Sequence, residues 1–288
     1  LKPKTVHIYY TDSRRGAGHE AQGKAVKAKL DKILGAGNVH LVPFDEKFGD
    51  LKVLKQYNKD FNDFRADPDK SFAKFSKYIR SYFKFYSTID RKKMRAHMSK
   101  PGVVPVFANP QIAWTAQRGG VFHGISMHTD QAPWKWMDAN VNGRTARHIV
   151  TKSAKDDFLK QHKTLSSRTR VVSDLAISDA PADLNSKMVD RITGKTIKMD
   201  GTYNITVSGG AQGWDTDQMT REILKADLPK GTVIHVATGA DKQLDGKLLN
   251  TAAFRKMKDV KSIPGVEVRT YGWAPLRQML FHVSGATT

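Results

Sequence analysis

The chain contains no cysteine, so disulfides, thiolate metal sites and cysteine nucleophiles are excluded, while the compartment stays open on that count. No apolar run reaches the roughly 20 residues that span a bilayer. The first residues, LKPKTVHIYY, have no secretory-signal pattern and read as a first strand. Several motifs are also missing. There is no GxxxxGKS/T phosphate loop, no HExxH, no recognisable spacing among the ten histidines, and no DxD pair at a strand end. Gly16 and Gly18 are followed by Ala21 rather than the third glycine of GxGxxG, and no acidic ribose partner stands near the end of the second strand. Phosphate-loop phosphoryl transfer, metal-dependent hydrolysis and hydride transfer are therefore disfavoured. Negative charge is scarce: 28 acidic residues stand against 48 lysines and arginines, a formal net charge of +20. A field of that sign gathers nucleic acid, anionic lipid or phosphorylated small molecules.

The 288 residues are 39% hydrophobic, enough for two α/β domains of ordinary size or one large one. Val6 to Tyr10 predicts a buried strand closed by Thr11-Asp12-Ser13. A helix is expected from about Gly18 to Leu34, through Ala21, Ala25, Ala28 and Leu30, ended by Gly35 and Gly37. With VHLVPF (39–44) as the next strand, this is the opening β-α-β unit of a parallel sheet. Strands are expected at 103–110, 120–130, 148–153 and 171–177, with a helix from about Ala154 to His162. The polar stretch after 178 reads as a connection. A second set begins at TYNITVSGGAQG (202–213) and continues with a helix near 217–225 and a strand at 232–239. A helix near 247–258 and a strand at 266–273 follow. The expected organisation is an N-terminal Rossmann-like domain (1–178), a connection (179–201) and a second Rossmann-like domain (202–288).

Residues 47–100 differ in character. Aromatics recur through Phe61, Phe64, Phe72, Phe75, Tyr78 and Tyr82 at helical spacing, interleaved with lysines and arginines. One reading is an aromatic face on the sheet and a basic face in water. The other is a surface resting on anionic lipid with aromatics inserted.

Two glycine turns follow strands and open helices. TDSRRGAGHEAQGKAV (11–26) places Gly16 and Gly18 before His19; SGGAQG (208–213) carries Gly209, Gly210 and Gln212. Glycines let a backbone approach a ligand, and free amides at a helix start attract phosphate. His19 at a helix N-terminus feels the positive end of the dipole, which favours the neutral form a general base requires. The plainer alternative is a histidine donating to a neighbouring carbonyl. Asp130, in ISMHTDQAPWKWM (125–137), stands where a strand ends and could orient His19 or bind an acceptor hydroxyl. Trp134 and Trp136 could stack on a sugar, enter lipid or fill core.

With these residues in hand, the chain resembles the GT-B glycosyltransferases of the monogalactosyldiacylglycerol synthase and processive diacylglycerol glucosyltransferase type, relatives of the peptidoglycan N-acetylglucosaminyl transferase. The resemblance runs in order over nearly the whole chain. The family's opening "SDtGGGHrasaeAi" is similar to TDSRRGAGHEAQGKAV, its "vTDl…hp.W" to HTDQAPWKW, its "llmgGG.G" to ITVSGGAQG, and its "GW…m..ll" to YGWAPLRQMLF. What the resemblance implies is two Rossmann-like domains facing a cleft and an inverting, metal-independent transfer from a UDP-sugar to a diacylglycerol-like lipid, with no cofactor. His19 would be the catalytic base and Asp130 the aspartate of the "TD" pair. Gly209, Gly210 and Gln212 would lie along the donor phosphates, and Tyr271, Gly272 and Trp273 where the family's backbone meets the uracil. Arg14, Arg15, Gly16, Gly18, Trp134 and Trp136 would shape the acceptor and membrane side of the cleft. The expected location is cytoplasmic and peripheral to a membrane.

Three departures stand out. The first turn carries an extra basic residue and Ala17 where the family prefers glycine. Asn109-Pro110 replaces the family's "hP", which reads as one polar contact fewer. The sequence also ends at Ser284-Gly285-Ala286-Thr287-Thr288, where the family continues into an acidic ribose-binding segment; the second domain is expected to be incomplete. Two further readings fit the charge: a glycosyltransferase acting on nucleic acid, and a non-catalytic basic binding module on the same scaffold.

Overall fold

The computed structural model describes residues 5–11, 18–65, 71–128, 145–151, 160, 169–172, 187–190, 192–209, 215–239, 241–242, 248–249, 252–272, 274 and 279. The chain divides into two compact units: Leu1–Tyr57 with Arg80–Asp179, and Asn58–Ile79 with Ala180–Thr288.

Among the described residues the first unit carries a six-stranded, wholly parallel sheet. Its strands are β1 (Thr5–Tyr10), β2 (Val39–Pro43), β3 (Val103–Phe107), β4 (His123–His128), β5 (Thr145–Thr151) and β6 (Thr169–Val172). They lie in the order β2-β1-β3-β4-β5-β6. β-Branched runs closed by turns fix these strands, as the sequence predicts; the ends differ by a few residues. Helix α1 (Gly18–Leu34) joins β1 to β2 over the span expected from its alanine periodicity. Val26, Leu30 and Leu34 pack against a core of Val6, Ile8, Val39, Val106, Ala108 and Met127.

Between β2 and β3 stand α2 (Phe44–Phe48), α3 (Leu51–Arg65), α4 (Phe72–Ser87) and α5 (Arg91–Met98). The aromatics of 47–100 are largely interlocked there. Tyr57 stacks on Phe85 at 5.7 Å and 14°, and Phe64 on Tyr78 at 5.8 Å and 3°. Asp60, buried on α3, meets Lys77 of α4 at 3.0 Å. Packing therefore accounts for most of the aromatic face. Phe72 (82% exposed) and Phe83 (55%) stand in solvent instead. Helix α6 (Pro110–Arg118) follows β3; Asn109 caps it and Pro110 fills its first position, where a missing amide is harmless.

The second unit carries β7 (Tyr203–Ser208), β8 (Thr232–Ala237) and β11 (Val266–Tyr271) as a parallel sheet in the order β11-β8-β7. A strand order of 3-2-1 is half of the doubly wound dinucleotide fold. Helices α7 (Thr216–Ile223) and α8 (Ala252–Lys256) complete the layer. The helix expected from 247 begins later, because β9 (Asp241–Lys242) and β10 (Leu248–Leu249) form a small antiparallel pair first. The stretch read as a connection does more than connect: Met188 and Ile197 are buried with Ala237, Tyr271, Ala274 and Met279. The molecule is thus mixed α/β with parallel, Rossmann-like sheets.

Candidate functional site

In the first unit, α1 follows β1 and α6 follows β3, and these strands are neighbours. Their helices lead to opposite sides of the strand order, β2 and β4, so β1/β3 is the topological switch point. Ligands of open α/β sheets bind at such a point, beyond the carboxyl ends of the strands. His19, in the first turn of α1, sits there. Its Nδ1 lies 3.1 Å from the Ala108 carbonyl oxygen and its Nε2 lies 3.0 Å from Asn109 Nδ2.

The tautomer follows from the surrounding bonds. Asn109 Oδ1 accepts the Gln111 amide at 2.8 Å to cap α6, so the amide of Asn109 presents its NH₂ to the histidine. Nε2 must then be the acceptor, and Nδ1 carries the proton it donates to Ala108. In that tautomer the ring is neutral, with its Nε2 lone pair directed at the Asn109 amide. The plainer reading of His19 is met: it donates to a neighbouring carbonyl. Asn109, expected to mark a lost polar contact, makes one.

The second unit brings distant residues into one row. Ser208, Ala237 and Tyr271 are in register across β7, β8 and β11. Gly209, Thr238 and Gly272 therefore stand side by side at the carboxyl edge, where the donor glycines are expected. Their backbone is heavily committed. The Tyr271 carbonyl accepts both the amide and the hydroxyl of Thr238, each at 3.0 Å. The Gly272 amide reaches Asp190 Oδ2 at 3.3 Å. A side chain at 272 would stand 2.5 Å from Ile192, so glycine is required for close packing on Ile192. Asp190, 1% exposed, also accepts the Ile192 amide and the Thr193 hydroxyl.

Tyr271 turns its hydroxyl inward to His235 Nδ1, 3.1 Å away. The other ring nitrogen donates to Asn204 Oδ1 at 2.9 Å. His235 is 0% exposed; burial, helped by the Arg269 charge, lowers its pKa to about 4. Sequence reasoning missed this residue, since a single histidine inside TVIHVATG carries no spacing signal. It also missed Asp190 and the Tyr9 cluster. Tyr9, fully buried, has its hydroxyl 3.0 Å from His97 Nδ1 and 3.4 Å from His7 Nδ1. Burial and Lys47 bring His97 down to about 4, and burial with His40 lowers His7.

A wide depression of about 560 Å³ lies at the amino ends of β7, β8 and β11, the end opposite the glycine row. Arg269 there is already bound by Glu267 and Asp200, so it offers little to an anion.

Of the residues singled out from sequence, Arg14, Arg15, Gly16, Asp130, Trp134, Trp136, Gly210, Gln212 and Trp273 lie outside the described residues. Gly18 opens α1 one residue before His19. No group of three or more candidate metal ligands occurs among the described residues, and no helix among them is long and apolar enough to cross a membrane. No family model, no curated protein and no solved structure matches this chain.

Proposed function

We propose that the chain is a GT-B-type glycosyltransferase that moves a sugar from a UDP-sugar to the hydroxyl of a diacylglycerol-like lipid, without a metal, at a membrane surface. The observation that carries this reading is the neutral His19 at the β1/β3 switch point, its Nδ1–H on Ala108 and its Nε2 accepting the Asn109 amide. The opening turn and the ordered motifs of the sequence supply the reaction class; two Rossmann-like units supply a scaffold suited to it. The acceptor hydroxyl takes the place of the Asn109 amide at Nε2. His19 removes its proton as the oxygen attacks the anomeric carbon, and the Ala108 carbonyl then steadies the imidazolium. The bond from the anomeric carbon to UDP breaks as the new one forms, and the sequence assigns the departing diphosphate to the glycine turn SGGAQG (208–213). The basic residues of α3 to α5 favour anionic lipid around the acceptor.

Incubation with UDP-hexoses and diacylglycerol in anionic vesicles tests this. Turnover is expected in the unaltered protein and is expected to fall about 10²- to 10⁴-fold in His19→Ala, the usual worth of a positioned base. Turnover that survives His19→Ala sinks the mechanism. A second reading, a basic binding module without catalysis, is favoured by one observation: both ring nitrogens of His19 already have partners inside the unit. Calorimetry with UDP separates the two, because only the transferase needs a donor site.

A further inference from the structure

Away from the switch point, the C-terminal half of α4 with α5 and α6 encloses a pocket of about 160 Å³ in the first unit, lined by Phe83, Tyr86, Arg91, Trp114, Thr115 and Arg118. Its walls are aromatic and its rim is cationic. The Arg118 guanidinium carbon sits 5.0 Å from the centre of the Trp114 ring, which holds the planar fork in one orientation. Arg91 opens α5 beside Asp90, whose carboxylate is turned away to cap the Lys93 amide at 2.9 Å. Neither arginine is ion-paired with an acidic side chain among the described residues.

Two uncompensated guanidinium groups around an aromatic recess match the oxygens of a phosphate, which arginine binds with two parallel N–H donors. The volume is well below the roughly 300 Å³ of a site that swallows a whole organic ligand. Such a pocket takes a head group and leaves the remainder outside, where Phe83 offers an exposed apolar ring. A base with its sugar and phosphate exceeds the space, which argues against a nucleotide.

We propose that this pocket binds the phosphate group of an amphiphilic phosphate, with Arg91 and Arg118 on the oxygens and the apolar chain laid over Phe83 and Trp114. The site is separate from the transfer reaction: neither His19 nor the second unit contributes to it, so it stands or falls independently of that reading.

Calorimetry with monomeric octyl phosphate at near-physiological salt tests it, with inorganic phosphate, octyl glucoside and a short single-stranded oligonucleotide as the other arms. One equivalent of octyl phosphate is expected to bind. Arg118→Ala and Arg91→Ala are each expected to weaken it about 10-fold, the worth of a charge-assisted hydrogen bond. Lys52→Ala removes the same charge from an exposed position of α3 and is expected to change affinity less than about 2-fold. Near-ultraviolet circular dichroism confirms that each variant is folded, and Arg118→Lys, which keeps charge but loses the fork, is expected to fall between. The proposal is overturned if Lys52→Ala weakens binding as much as Arg118→Ala, since diffuse charge then suffices. It is equally overturned if inorganic phosphate or octyl glucoside binds as tightly, or if the oligonucleotide competes octyl phosphate away through the same arginines.

Discussion

The two sheets present opposite kinds of carboxyl edge. In the first unit the edge is built from side chains: His19 from α1 and Asn109, the cap of α6, face each other across the switch point, with His19 Nε2 3.0 Å from the Asn109 amide nitrogen. In the second unit the edge is built from backbone, and that backbone is spoken for. Asp190 takes the Gly272 amide, and Thr238 takes the Tyr271 carbonyl twice. A neutral amide resting on a lone pair is a contact that an incoming hydroxyl can displace. A buried carboxylate shared by three donors is not, because each donor would be left without a partner. The first edge is built from side-chain contacts that can exchange and the second from committed backbone.

That contrast is most easily broken at Asp190. Asp190→Ala leaves the Ile192 and Gly272 amides and the Thr193 hydroxyl without their common acceptor. The expected loss is about 3 kcal/mol, in the range for buried charged hydrogen bonds, read as a lower urea midpoint. A midpoint unchanged within error would mean that the clamp contributes nothing to the second edge.

The next effect is pH-dependent and sits behind the same edge. His235 has a folded pKa of about 4 because burial disfavours its charged form; the unfolded chain titrates it near its ordinary value. As pH falls from about 6.5 towards 4 the unfolded state takes the proton first, so stability declines across that window, by at most about 3 kcal/mol. The groups facing the ring are Arg269, Asp200, Glu267 and the Tyr271 hydroxyl. His235→Gln can still donate to Asn204 and accept from Tyr271 but cannot titrate. It is expected to remove the second unit's share of the slope, while His7 and His97 keep theirs in the first. Urea midpoints at pH 7 and 4.5 measure this, and an unaltered slope in the variant would refute it.

Much of the fold was legible because its signals are local. The run VHIYY, the alanine periodicity of α1 and the closing Gly35 all lie within one element of what they specify. The β9/β10 pair escaped because two-residue strands have no period, and 247–249 carried the apolar pattern of a helix. The site was half legible for the same reason. A glycine turn before a helix marks His19, but its partners Ala108 and Asn109 lie 89 and 90 residues away and meet it only through the β1–β3 pairing. Asp190 was hidden in a polar stretch that reads as connection. Nothing within three residues of it names Gly272, 82 positions further on.

The smallest effect on stability is the sharpest probe of the first edge. Asn109 does two jobs with the two ends of one amide: Oδ1 caps α6 and Nδ2 occupies His19. Asn109→Asp keeps the cap, since aspartate is as good an N-cap residue as asparagine, so the stability read from the urea midpoint is expected to fall less than in Asp190→Ala. The end facing His19, however, becomes an acceptor. Nε2 can no longer receive a hydrogen bond from it and instead carries a proton directed at the carboxylate, with Nδ1–H still on Ala108. Nitrogen chemical shifts of the ring distinguish the two states: one protonated and one bare nitrogen in the unaltered protein, two protonated nitrogens in the variant at the same neutral pH. On the proposed mechanism the lone pair that would remove the acceptor proton is then gone, so transfer is expected to fall nearly as far as in His19→Ala, although the protein still folds. Unchanged ring shifts in the variant would mean that Asn109 does not set the tautomer, and the separation between an exchangeable edge and a committed one would lose its basis.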